Sequence, residues 1–210
     1  MKLIGSSMSP FVERVILAME IKGTPDVIEM ADAPGGFKSP EHHALSPMGR
    51  IPILVTDEGE AIAESQAIVD YLDDVVDGPS LIPSDPMAKA QLSTFCRVID
   101  MDFVPAWTNL WPNRAPSEEA LKEAVEVKLP KAMDYLEFYA EKVRLSADSP
   151  TIADAALIPF LFHMRVFGKK LGCGDFGDRP ILSSWHKAVS ETDMGKASFE
   201  RCSVALQKFR

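Results

Sequence analysis

The 210 residues predict an α/β domain followed by an all-α domain. Three observations carry that reading. Up to residue 77, short apolar runs of strand length alternate with stretches whose apolar positions recur at helical spacing. Residues 78–86 then read Gly-Pro-Ser-Leu-Ile-Pro-Ser-Asp-Pro, the composition of a connector. Beyond it every periodic stretch is helical. The expected organisation is therefore a first domain at 1–77, a linker at 78–86 and a helical domain at 87–210.

In the first domain, Lys2 to Gly5 is a short strand, and the polar Ser6-Ser7-Met8 loop leads to Ser9-Pro10. Serine at the N-cap with proline in the first helical turn marks a helix start. Val12, Val15, Ile16 and Met19 form its buried stripe, and Lys22-Gly23 closes it. Asp26 to Met30 reads as a second strand, so strand, helix and strand make a parallel βαβ unit with a right-handed crossover. Ala33-Pro34-Gly35-Gly36 is loop by composition, and Lys38 to Leu45 is a short helix or an irregular segment. Ile53-Leu54-Val55 is a third strand, and Asp57-Glu58-Gly59-Glu60 turns the chain so that Ala61 to Ala63 folds back antiparallel. Ser65 reads as the N-cap of a helix with Ile68, Tyr71, Leu72 and Val75 on one face. Pro52 can donate no ladder hydrogen bond, which places it at the start of a strand or on an edge, and the Ile51-Pro52 bond is a candidate cis peptide.

In the second domain, Asp85-Pro86 opens a helix with Leu92, Phe95, Cys96, Ile99 and Phe103 as its core stripe, and Pro105 should kink or break it before Trp107, Leu110 and Trp111. Ser117-Glu118-Glu119 opens another helix to about Leu145 with Pro130 as an interior irregularity. Thr151-Ile152-Ala153-Asp154 has capping-box spacing. The Ala-Ala-Leu-Ile-Pro-Phe-Leu-Phe that follows is apolar on every side, as a centrally buried helix is. Pro180 to Trp185 and the final stretch to Arg210 read as late helices, the last with a loose end.

Composition narrows the function. A net charge of −9, with no basic stripe, argues against nucleic acid as a partner. The first residues are too short and polar for a signal peptide, and no apolar run reaches membrane-spanning length, which predicts a cytoplasmic protein without a membrane partner. Cys96, Cys173 and Cys202 are widely spaced and odd in number, unlike a disulfide framework or a zinc site, and no metal is expected. The neighbours His42 and His43 read as a solvated loop pair rather than ligands.

Gly49-Arg50-Ile51-Pro52-Ile53-Leu54 followed by Glu64-Ser65-Gln66-Ala67-Ile68 closely resembles the glutathione-binding segment of the cytosolic glutathione transferases. Their N-terminal domain is thioredoxin-like and carries a cis-proline and then an acidic-Ser pair; their second domain is all-helical. Ser9-Pro10-Phe11-Val12-Glu13-Arg14-Val15 resembles the strand-to-helix turn of the tau, zeta and omega classes, and the capping box at Thr151 and the segment from Pro180 resemble the family's helical domain. The resemblance implies glutathione as co-substrate, a small hydrophobic electrophile as second substrate, a homodimer, and Ser9 as the catalytic residue that donates a hydrogen bond to the glutathione sulfur. It implies a glutathione site of Phe11, Lys38, Arg50, Ile51, Pro52, Glu64 and Ser65. Glu64 would receive the γ-glutamyl ammonium, Ser65 that residue's carboxylate at a helix N-terminus, Ile51 the cysteinyl backbone, and Lys38 the glycyl carboxylate. Arg50 would assist or be solvated.

The physical logic of Ser9 is that a helix N-terminus and a hydroxyl donor both stabilise a thiolate. A free thiol titrates near a pKa of roughly 8.5, and each unit of depression, about 1.4 kcal/mol, raises the thiolate fraction at neutral pH up to tenfold. A structural N-cap is the other reading of Ser9, and Ser6 and Ser7 are alternatives for the sulfur contact. Phe103, Trp107 and Trp111 either line the electrophile pocket or are plain core. Ser46 stands where the family usually has Asn before Pro, and the absence of cysteine at Ser9 weakens an omega-type thiol-transferase reading, because serine cannot form a mixed disulfide. A fold retained as a non-catalytic scaffold is the remaining alternative.

Overall fold

The computed structural model describes residues 1–111 and 114–208. The last two residues of the terminal helix expected to reach Arg210 lie outside the described residues. The chain divides into two compact units, Met1–Ile82 together with the residues from Ala197 onward, and Pro83–Lys196. The change at Ile82 falls inside the proline-rich connector.

In the first unit β1 (Lys2–Ile4), α1 (Pro10–Lys22), β2 (Glu29–Ala31), α2 (Pro40–Leu45), β3 (Ile53–Val55), β4 (Ala61–Ala63) and α3 (Ser65–Val75) follow one another. The sheet runs β2-β1-β3-β4, with β1 parallel to β2 and antiparallel to β3, and β3 antiparallel to β4. This mixed sheet with helices is the thioredoxin-like arrangement. Its core is Leu3, Ile4, Ile53 and Leu54 from the strands and Val12, Val15, Leu17, Met19, Ile68, Val69 and Leu72 from α1 and α3. The second strand starts three residues later than expected. Pro25 opens a single 3-10 turn over Pro25–Val27 instead, and pairing begins at Glu29 opposite Lys2.

The connector is tied to this unit by a buried ion pair. Lys22 Nζ donates to Asp73 Oδ1 at 2.8 Å and to the carbonyls of Asp73 and Pro79, while Asp73 accepts from Leu81 N–H and Ser80 Oγ. Burial pushes the Asp73 carboxyl up, but the hydrogen bonds from Lys22, Leu81 and Ser80 and the Lys22 charge outweigh it and hold the group below the ordinary carboxylate value.

The second unit is helical: α4 (Pro86–Val98), α5 (Val104–Thr108), α6 (Glu118–Glu123), α7 (Leu129–Val143), α8 (Ile152–His163), α9 (Pro180–Glu191) and the start of α10 (Asp193–Gln207). Pro105 does not break its helix. A widened π turn at Ile99–Phe103 connects α4 to α5, and another at Ala124–Lys128 connects α6 to α7 ahead of Pro130. An interior proline crowds the carbonyl four residues back, and in each case that residue, Met101 or Glu126, lies within the widened turn. α8 is buried along its whole length, behind the expected capping box: Asp154 accepts from Thr151 N–H at 2.7 Å, and Thr151 Oγ1 accepts from Ala153 N–H at 3.2 Å. Asp154 also accepts from Ser146 N–H and Trp185 Nε1, so this buried carboxylate joins three segments of the unit.

Candidate functional site

The first unit brings three of its segments together where β1 ends. Gly5 follows β1 with φ 157°, and a Cβ there would sit 2.6 Å from Val12 Cγ2 and 3.5 Å from Ile51 Cβ. Only glycine allows this approach, which brings the loop after β1, the start of α1 and the Ile51-Pro52 turn together. The Ile51-Pro52 peptide bond is cis, and Pro52 is buried just before β3.

Ser9 occupies the N-cap of α1 with extended backbone (φ −86°, ψ 120°), and its carbonyl accepts from the N–H groups of Val12 and Glu13. Its side chain makes no capping hydrogen bond. Ser9 is half-buried at the start of a thirteen-residue helix, where the dipole favours an anion. Ser6 Oγ accepts from Met8 N–H at 3.3 Å, and the Ser7 carbonyl accepts from the Cys202 thiol at 3.2 Å.

Glu64 and Ser65 begin α3, with roles shifted by one from the expectation. Glu64 is the N-cap, exposed, at φ 71° and ψ 117°, while Ser65 is already the first helical residue. Ser65 Oγ therefore turns inward instead of capping its own helix, and it accepts from Arg14 Nη1 at 3.2 Å. α1 and α3 pack on each other, which brings the buried Arg14 guanidinium to the start of α3, 5.4 Å over the Phe11 ring. A cation beside a helix N-terminus strengthens its field for a carboxylate. Arg14 was not singled out by the sequence; its position in the Ser9-Pro10 helix, on the face toward α3, was the available signal.

Lys38 is exposed with φ 64°, its ammonium 5.5 Å over the Phe37 ring. Its backbone N–H donates to His42 Nδ1 at 3.0 Å. The expected solvated histidine pair is thus split: His43 is exposed, but His42 is fully buried in α2, whose N-cap Ser39 accepts from His42 N–H at 3.0 Å. The Ser39-Pro40 start is the helix signal that would have placed His42 inward. Arg50 is exposed and Ile51 half-buried.

In the second unit Phe103 and Trp107 are fully buried and stacked at 6.1 Å, with Phe103 edge-on to Phe160 at 5.3 Å. Trp111 is half-buried, 6.1 Å from the His163 ring. The indole N–H groups of Trp107 and Trp111 are buried and have no hydrogen-bond partner among the described residues. Among those residues no group of three or more His, Cys, Asp or Glu could hold a metal ion, and no helix is long and apolar enough to cross a membrane.

Two family profiles match the chain: glutathione S-transferase, N-terminal domain, over residues 8–75, and glutathione S-transferase, C-terminal domain, over residues 95–193. A probable glutathione S-transferase of Zea mays is 32% identical over 204 residues, covering 88% of this chain and 84% of that protein. A maleylacetoacetate isomerase of Pseudomonas aeruginosa is 28% identical over 179 residues, covering 81% of this chain and 84% of its own. The crystal structure of a tau class glutathione S-transferase from mango, Mangifera indica, superposes with a TM-score of 0.78 at 25% identity, covering 100% of this chain and 98% of that one.

Proposed function

Because the chain belongs to the glutathione S-transferase family through both of its domains, we propose that its first unit binds glutathione and lowers the pKa of the bound thiol for attack on a small hydrophobic electrophile. The observation that carries the reading is the meeting, in one unit, of the cis Ile51-Pro52 bond, the Glu64-Ser65 start of α3 and the uncapped Ser9 hydroxyl.

Glutathione offers an ammonium, two carboxylates and a thiol. Glu64 takes the γ-glutamyl ammonium, and the carboxylate of that residue sits at the α3 N-terminus on Ser65, with Arg14 adding charge through Ser65 Oγ. Ile51 and Pro52 pair with the cysteinyl backbone as an added strand does, Lys38 meets the glycyl carboxylate with Arg50 assisting, and Phe11 packs beneath. Ser9, with no cap bond to break, donates to the sulfur and stabilises the thiolate together with the α1 dipole. The electrophile is assigned to the second unit at Trp111, with Phe103 and Trp107 supporting it. All three cysteines are buried and the Cys173 and Cys202 thiols are pushed up by burial, which supports serine chemistry over a thiol transferase. Conjugation, peroxide reduction and isomerisation of an activated double bond all begin with the same thiolate, and the likeness to a maleylacetoacetate isomerase supports keeping the last of these. We place the protein in the cytoplasm as a homodimer.

The test is calorimetric titration with glutathione followed by turnover on aryl halides, hydroperoxides and cis-enone acids. Binding with turnover of at least one class is expected. Failure of the folded protein to bind glutathione overturns the reading, and binding without turnover of any class makes it a scaffold.

A further inference from the structure

The last helix presses a residue that the proposed chemistry does not use against the loop on which that chemistry depends. Within the first unit, Arg201 Nε donates to Glu13 Oε1 and Oε2 at 3.0 and 3.1 Å, Nη2 donates to Oε2 at 3.0 Å, and Ser198 Oγ donates to Oε2 at 2.9 Å. Arg201 Nη1 reaches Glu20 at 2.8 Å. Glu13 has no exposed surface, so its charge must be met by partners fixed in place, and this clasp sets how α10 lies on α1.

One residue beyond the clasp, the fully buried Cys202 directs its Sγ–H at the Ser7 carbonyl oxygen, 3.2 Å away. Ser7 is two residues before Ser9. The loop's own bonds run from Ser9 N–H to the Ser6 carbonyl at 2.8 Å and from Met8 N–H to Ser6 Oγ at 3.3 Å, and neither involves Ser7. The Ser7 carbonyl is held from α10 instead. Burial first, and then the Glu13 charge, push the Cys202 thiol up to about 12, so it stays a donor wherever a glutathione thiol titrates.

We propose that Cys202 is a positioning residue for the thiol-activating loop: set by the Glu13–Arg201–Ser198 clasp, its Sγ–H fixes the Ser7 carbonyl and thereby the direction of the Ser9 hydroxyl. The proposal rests on the reading of the first unit as a glutathione site with Ser9 as sulfur donor. The interaction is a neutral hydrogen bond acting through the backbone, and its effect is on aim rather than on ligand contact.

Three variants test it in the glutathione complex: Cys202→Val, which removes the donor and adds the bulk of one methyl, Cys202→Ser, which restores a donor without added bulk, and Ser9→Ala. The readouts are the pKa of the bound thiol from thiolate absorbance near 240 nm, kcat and KM with an aryl halide, and the melting temperature. Cys202→Val should raise the bound thiol's pKa and lower kcat about tenfold, with KM for glutathione within about twofold, since a misaimed donor is lost mainly from the transition state. Cys202→Ser should return both toward wild type. If Cys202→Val does not fold, Cys202→Ala takes its place. An unchanged thiol pKa and kcat in the donor-free variant, even with a lower melting temperature, overturns the proposal, as does failure of Cys202→Ser to recover them. The Ser9→Ala arm separates the premise from the proposal. If it leaves the thiol pKa unchanged while Cys202→Val raises it, the serine assignment falls and the loop positioning stands; the opposite pattern removes only the positioning.

Discussion

Replacing Glu64 by glycine should make the protein more stable and worse at binding glutathione. Glu64 is held at φ 71° and ψ 117°, outside the left-handed helical well that non-glycine residues visit. Such a conformation costs of the order of 1–3 kcal/mol. Glycine relieves that strain but brings about 0.5–1 kcal/mol of extra backbone entropy to lose on folding, which leaves a net gain near 1 kcal/mol. For a chain of this length that is a rise of roughly 2–4 °C in melting temperature. Binding moves the other way. The Glu64 side chain is exposed, so the proposed pair with the γ-glutamyl ammonium would be partly solvated, and its loss should cost about 1–2 kcal/mol, a five- to thirtyfold rise in Kd. Glu64→Ala separates the two effects, because alanine stays strained at this φ: it should lose the same affinity and gain no stability. Differential scanning calorimetry and isothermal titration on the two variants and wild type supply both numbers. Wild-type affinity in folded Glu64→Gly removes Glu64 from the site, and a lower melting temperature refutes the strain argument.

Two buried charges give further expectations. Asp73→Asn leaves the Lys22 ammonium, its side chain 1% exposed, without a counter-charge, and should cost about 3–5 kcal/mol, roughly 6–20 °C in melting temperature. Lys22→Met in the same chain should recover much of the loss, and additive effects would contradict the pair. The Asp73 carboxyl titrates below its unfolded value, so its contribution is fully present above the ordinary carboxylate range and is lost as the pH falls through the lowered value; the melting temperatures of wild type and Asp73→Asn should converge on acidification. Arg201→Met strands the buried Glu13 on Ser198 alone and should also cost about 3–5 kcal/mol in denaturant unfolding, with Glu13→Gln in the double variant restoring more than half; a loss under about 1 kcal/mol would show the clasp to be weak.

Much of the architecture was written in local signals. Ser9-Pro10, the Asp57–Glu60 turn and the Thr151 capping box each act within a few residues, and each lies where its chemistry placed it. What was displaced depended on partners and turns that periodicity does not reveal, some of them distant in sequence. Ser65 looked like a cap because serine before an apolar stripe usually is one, yet Arg14, fifty-one positions earlier, takes its hydroxyl. His42 looked solvated beside His43, but Ser39 caps the helix through the His42 backbone N–H, and the buried ring accepts from the Lys38 N–H. Pro105 read as a kink or break because periodicity carries no hint of a π turn that makes room for it. The Glu13–Arg201 clasp joins residues 188 apart, and nothing in either segment announces the other.

The central claim, that Ser9 activates a glutathione thiol, is tested most directly by titrating thiolate absorbance near 240 nm in the glutathione complexes of wild type and Ser9→Ala. The account predicts a bound thiol with a pKa clearly below the roughly 8.5 of a free thiol in wild type, and a rise in Ser9→Ala accompanied by a fall in turnover of about one to three orders of magnitude. The Ser9 side chain makes no cap bond, so the melting temperature should fall by less than the few degrees that loss of about 1 kcal/mol from a true cap would bring. The same thiol pKa and turnover in both proteins would contradict the serine mechanism and leave Ser6, Ser7 or the α1 N-terminus alone to activate the sulfur.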